Sequence, residues 1–245
     1  MGKDEKGDIL RVAATLEDIK KSYGVASRLY GILEGKFEKG LREKGLELLS
    51  VREGEVVLEI GIGVGRALEK IAESVGATGK AYGIDITPKM LRLAEERLRR
   101  AELMKRVGLH EGDARTMPYK DNMFDAVYTA ATLELFDTPD IPRVLGEIKR
   151  VLKPSGRLSV ISLTKEGRES FWFLRFYEWM HQRLPKYASC RPIYVEQIIQ
   201  DAGFDIAERQ EFMIMKLVPM KLVIAMLGGT SNRASANKAR DYDAR

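Results

Sequence analysis

The sequence predicts an α/β fold, a mainly parallel sheet wound with helices on both faces. Three observations carry this. An apolar run at residues 56–60 meets a turn with glycine at alternate positions, Gly61, Gly63 and Gly65, and helical spacing follows at 66–72. A second short apolar stretch at 81–85 ends in the carboxylate of Asp85. Thereafter strand-like and helix-like stretches alternate, the pattern of parallel strands joined by crossover helices.

Each element can be justified in order. Residues 1–7 are polar, and Ile9, Val12, Leu16 and Ile19 then recur at helical spacing, predicting one or two short helices. Residues 34–49 read as an amphipathic helix through Phe37, Leu41, Leu46, Leu48 and Leu49. The strand at 56–60 is apolar on both faces, as a central parallel strand must be. In the glycine turn the chain bends sharply and a ligand lies almost on the backbone, where a Cβ would clash. Thr87-Pro88 starts a helix whose buried stripe is Leu91, Ala94, Leu98 and Ala101, with Glu95–Arg99 and Glu96–Arg100 paired outside. A third strand runs from Val107 towards Asp113, a fourth over 124–129 and a fifth over 156–162, with Thr138-Pro139 opening the intervening helix. Residues 166–187 break the alternation with Phe171, Trp172, Phe173, Phe176, Tyr177 and Trp179, a segment apolar nearly all round. Arg191-Pro192 opens a last helix closed by Gly203, and apolar stretches at 204–216 and 220–227 flank Pro219. From Gly228 onward the composition predicts a flexible polar tail.

These residues resemble the class I S-adenosylmethionine (SAM) dependent methyltransferases. The matching pieces are Glu59-x-Gly61-x-Gly63-x-Gly65, Gly83-Ile84-Asp85, Gly112-Asp113-Ala114, Pro118 with Phe124-Asp125, and Val151-Leu152-Lys153-Pro154-x-Gly156. They stand in that family's order over roughly residues 50–165. Within it, the N-terminal half is most similar to the branch of ubiquinone and menaquinone biosynthesis methyltransferases. The resemblance implies a Rossmann-like, seven-stranded sheet finished by an antiparallel pair. It also implies three regions, a helical lid at 1–50, a methyltransferase domain at 51–227 and the tail at 228–245.

The implied cofactor is SAM, leaving as S-adenosylhomocysteine, with no metal. Glu59 would accept from the methionine ammonium or the ribose, Asp85 from the ribose hydroxyls, and Asp113 from the adenine amino group beside Ala114. Ile86 and Met90 would wall the adenine, and Thr129 and Leu133 would line the methionine end. Tyr23 and Tyr30 match a tyrosine segment that folds over the cofactor and faces the substrate. Glu134, Trp172 and Phe176 are candidates for the acceptor pocket, and Tyr23 and His181 are candidate catalytic groups. Methyl transfer depends chiefly on alignment, and a base is needed only if the nucleophile must lose a proton. The aromatic segment and the methionines of 212–215 favour a small apolar or lipidic acceptor, quinone-like or phospholipid-like.

Composition narrows the classes. In 245 residues, 41 basic side chains against 36 acidic ones leave a net charge of +5, mild for a nucleic-acid binder. One cysteine, Cys190, rules out an internal disulfide and fits a reducing, cytoplasmic setting. A nicotinamide oxidoreductase would need glycine where Arg66 stands. A base-modifying nucleic-acid methyltransferase would carry a proline–aromatic run where Thr129-Ala130-Ala131-Thr132 stands. A non-catalytic SAM-binding scaffold has against it an intact glycine turn. The aromatic segment is suited to meet a lipid surface or a second copy of the chain.

Overall fold

A computed structural model describes residues 36–183 and 191–228. The expected lid residues Tyr23 and Tyr30, Cys190 and the tail beyond 228 lie outside the described residues. In chain order the elements are α1 (Lys36–Leu49), β1 (Val56–Ile60), α2 (Arg66–Ser74), β2 (Lys80–Asp85), α3 (Pro88–Arg100), β3 (Val107–Glu111), β4 (Phe124–Ala130), α4 (Ile141–Val151), β5 (Leu152–Leu163), α5 (Trp172–Arg183), α6 (Val195–Asp201), β6 (Phe204–Ile214) and β7 (Val218–Leu227).

The seven strands form one sheet in the order β3-β2-β1-β4-β5-β7-β6. β1 to β5 pair in parallel, while β7 lies antiparallel to both β5 and β6. The parallel order reverses at β1, whose neighbours are β2 and β4, so a crevice opens there beyond the strand ends. Side-chain alternation divides the core. Leu58 and Ile60 face a cluster closed by α4 and α6, whereas Val57 faces one closed by α1, α2 and α3. At Gly45, α1 lies so close to the sheet that a Cβ would come within 2.7 Å of Ile161. At the N-terminal ends of the strands, Asp125 takes the Val56 N–H at 2.9 Å and the Lys153 ammonium at 2.6 Å, tying β1, β4 and β5 together.

Four boundaries differ from the sequence reading, the first being β5, expected over 156–162 and found at Leu152–Leu163. The helix expected at Thr138-Pro139 starts at Ile141, because the Asp137 carbonyl takes the N–H groups of Asp140 and Ile141 in a preceding turn. The helix expected at Arg191-Pro192 starts at Val195, since Ile193 is first held as a bridge beside Thr164. The β6–β7 reversal falls at Met215 and Lys216, both at positive φ, and Pro219 pairs with Met213 inside β7.

Candidate active site

The glycine turn is shaped by two approaches and one opening. Gly65 has φ +78°, and a Cβ there would sit 2.8 Å from the Ala94 Cβ and 3.0 Å from its Cα, so glycine lets α2 and α3 meet. Gly63 has φ +50° but faces no protein atom within 4 Å, so its missing side chain leaves room over the backbone. Asp85, at the tip of β2, holds this turn in place. Its carboxylate accepts the Gly63 N–H at 3.1 Å and the Thr87 N–H at 2.8 Å. Burial pushes the Asp85 carboxyl above its ordinary range, against the pull of those N–H donors. From behind, Arg97 donates to the Val64 carbonyl at 3.0 Å and pairs with Glu69 at 3.0 Å.

Above the turn lies a cleft with an empty volume of about 1070 Å³, the open solvent at its mouth included. Among the described residues its wall comes from four places, each beyond a strand end. The glycine turn gives Gly61 and Gly63, β2 and α3 give Asp85, Ile86, Thr87 and Met90, and the loop after β3 gives Gly112, Asp113 and Ala114. The loop after β4 gives Ala131, Thr132, Leu135 and Phe136. Asp85 and Asp113 are the only ionisable side chains on the described wall.

The structure thus brings together Gly61, Gly63, Asp85, Ile86, Met90, Asp113 and Ala114. Other sequence candidates stand apart from the described wall. Glu59 is buried on the sheet face that carries Val57. Gly65 packs on Ala94, and Thr129 is buried with its hydroxyl donating to the Ile60 carbonyl at 3.2 Å. Leu133 belongs to the core. Glu134 points away from the cleft and accepts the Ser162 hydroxyl at 2.6 Å and the Leu163 N–H at 3.2 Å. His181 is fully buried on the inner side of α5, whereas Trp172 and Phe176 are turned to solvent. Asp113 reaches the wall with its carboxylate turned towards Arg115, which grips it at 2.6 Å and bridges to Asp140 at 2.6 Å.

Several positions on the cleft wall are not among the residues the sequence singles out. Leu135 and Phe136 lie in the loop after β4, and two large apolar residues in a loop at a sheet's ligand end are a usable signal. Ala131 adopts φ +50° without being glycine, held by its N–H on the Ile161 carbonyl at 2.8 Å. Nothing in its residue type announces that conformation.

Comparison with known proteins places these features in a family. Residues 57–156 match a methyltransferase domain model. A demethylmenaquinone methyltransferase of Bacillus licheniformis is 32% identical over 167 residues, 68% of each chain. One from Lactobacillus johnsonii is 35% identical over 144 residues, 56% of this chain and 58% of that protein's length. The crystal structure of a SAM-dependent methyltransferase from Aquifex aeolicus superposes with a TM-score of 0.56 at 27% identity, over 76% of this chain and 89% of that one.

Proposed function

The chain belongs to the SAM-dependent methyltransferase family, and on that premise we propose that it transfers a methyl group from SAM to a small apolar or lipidic acceptor of the quinone type. The observation that carries the reading is the cradle at Gly63, open over the backbone and faced by the Asp85 carboxylate. The residues fit the cofactor. The Asp85 carboxylate lies on the cleft wall, where it can take a ribose hydroxyl beside the Gly63 and Thr87 N–H groups it already accepts. Ile86, Met90 and Ala114 offer an apolar slot for the adenine. The bound cofactor would supply an electrophilic methyl group on a sulfonium.

The remaining work falls to this chain's side chains. Leu135 and Phe136 give the far wall an apolar character that suits a flat ring and excludes water from the path of transfer. The described wall offers no imidazole, thiol or amine to take a proton. Alignment is then the main catalytic device for an electron-rich acceptor such as a hydroquinone ring, whose displaced ring proton would leave to solvent after the methyl is transferred. The two demethylmenaquinone methyltransferases, at 35% and 32% identity, support this acceptor class.

The test is methyl transfer from labelled SAM to a reduced naphthoquinol lacking its ring methyl, run beside phosphatidylethanolamine and a panel of small amines. Label in the quinol is expected. Label only in the amine or phospholipid samples would overturn the acceptor class.

A further inference from the structure

Helix α5 wears its aromatic residues on two sides. Leu174 and His181 are buried, and Phe171, Phe173 and Tyr177 pack on Leu163, Met220 and their neighbours, so the inner face is already a core face. The outer face is as apolar. Trp172, Phe176 and Trp179 are 62%, 51% and 52% exposed, and they are three of the five large hydrophobic residues exposed among those described. Their i, i+4, i+7 spacing sets them in one stripe, with the Phe176 and Trp179 rings stacked 5.9 Å apart. A solvated helix face would carry polar residues there.

Charge selects what such a stripe meets. Arg183, at i+11, continues the stripe and Arg175 flanks it, both exposed. The stripe holds no acid. The helix's one carboxylate, Glu178, faces elsewhere and is paired with Lys165 at 3.1 Å. Indole rings with arginines beside them, and no carboxylate, match the boundary between anionic headgroups and acyl chains. A second copy of the same stripe would offer these arginines no partner of opposite sign. Position agrees as well. Leu174 of α5 belongs to the same buried cluster as Ile161 and Leu163, which lie at the C-terminal end of β5, the end of the sheet where the cleft opens.

We infer that the outer face of α5 docks the protein on an anionic lipid surface, seating Trp172, Phe176 and Trp179 among the acyl chains with Arg175 and Arg183 at the headgroups. The docking turns the cleft's end of the sheet towards the bilayer. That an acceptor enters from the bilayer rests on the lipidic reading above; the docking itself does not.

Both tryptophans of the chain, Trp172 and Trp179, lie on this stripe, so intrinsic tryptophan fluorescence reports on it alone. The full chain is titrated with vesicles of phosphatidylcholine, with and without phosphatidylglycerol, some bearing brominated acyl chains. Expected are a blue shift and bromine quenching with the anionic vesicles, lost at high salt. Arg175→Gln with Arg183→Gln should weaken partitioning on the order of ten-fold or more. Phe176→Ser, which keeps both tryptophans, should weaken it too. Emission unmoved by anionic vesicles overturns the docking. So does emission that is already blue-shifted without lipid, or that shifts with protein concentration alone, since the stripe is then covered by the chain itself or by a second copy. SAM titrated into the same samples separates the two proposals. Cofactor binding without a vesicle response sinks the docking alone, and a vesicle response without cofactor binding sinks the methyltransferase reading alone.

Discussion

Gly63 and Gly65 are two residues apart and share a positive φ, yet substitution of each should fail differently. Gly65→Ala drives a Cβ into the Ala94 backbone in a conformation L residues avoid, so it should lower stability by about 1–3 kcal/mol in a urea titration. Gly63→Ala meets open space, so the fold should bear only the backbone strain, about 1 kcal/mol, while SAM affinity falls much further in calorimetry. Equal losses of stability with no separate loss of affinity would contradict the cradle. Asp85 adds a pH signature. Its folded carboxyl titrates above the ordinary range, and only the ionised form is acceptor on both oxygens. SAM affinity should therefore begin to fall, as the pH is lowered, before an unshifted carboxylate would take up its proton; affinity flat across that range would remove Asp85 from binding. Asp85 was legible in the sequence because a charged strand tip between apolar neighbours asks for a partner. The grip of Arg115 on Asp113 was not, because it depends on Asp140, 25 positions further along the chain.

The loop after β4 carries the apolar wall, and a buried polar device anchors it to the scaffold. Arg191, fully buried, donates to the Phe136 carbonyl at 2.8 Å. Burial pushes the Glu134 carboxyl up, while the Ser162 hydroxyl, the Leu163 N–H and the Arg191 charge work against that. Because the folded carboxyl is raised, its protonated form contributes stability below the ordinary carboxylate range that is lost as pH rises through the folded value. Arg191→Met removes one group that favours ionisation and pushes the carboxyl further up. The stability gap between variant and wild type should then widen from mildly acidic to mildly alkaline pH, read as urea midpoints. A gap independent of pH would separate Arg191 from Glu134. The loop position of Glu134 is legible in the sequence, and the direction of its side chain is not. A one-residue rotation in the turn at Leu133–Leu135 decides whether a side chain faces the cleft or β5.

Across the whole molecule, the parallel half was the more legible. Its strands are short apolar runs ended by glycine or a carboxylate, and its helices carry local pairs such as Glu95–Arg99, at 2.5 Å. The C-terminal half adds long-range charge to its apolar core. Lys221 on β7 is buried and meets Glu196 at 2.6 Å, Glu166 at 3.0 Å and Glu211 at 3.1 Å, drawn from α6, the β5–α5 loop and β6. Burial pulls its ammonium down, but the three carboxylates outweigh that and raise it. Lys221→Met would leave three carboxylates crowded without their shared cation and should cost about 3–5 kcal/mol, seen as a lowered urea midpoint. A neutral result would make the cluster incidental to the sheet. No spacing rule announces such a cluster, since each carboxylate arrives from a different element. Among the described residues, no helix is long and apolar enough to cross a membrane.

The most direct measurement is calorimetric titration of SAM and S-adenosylhomocysteine into the wild-type protein and into Asp85→Asn. Micromolar binding of both ligands to the wild type is expected, weakened in the variant by about 1–3 kcal/mol. Failure of either ligand to bind the wild type, or equal affinity in the variant, would contradict the cofactor's placement at Asp85.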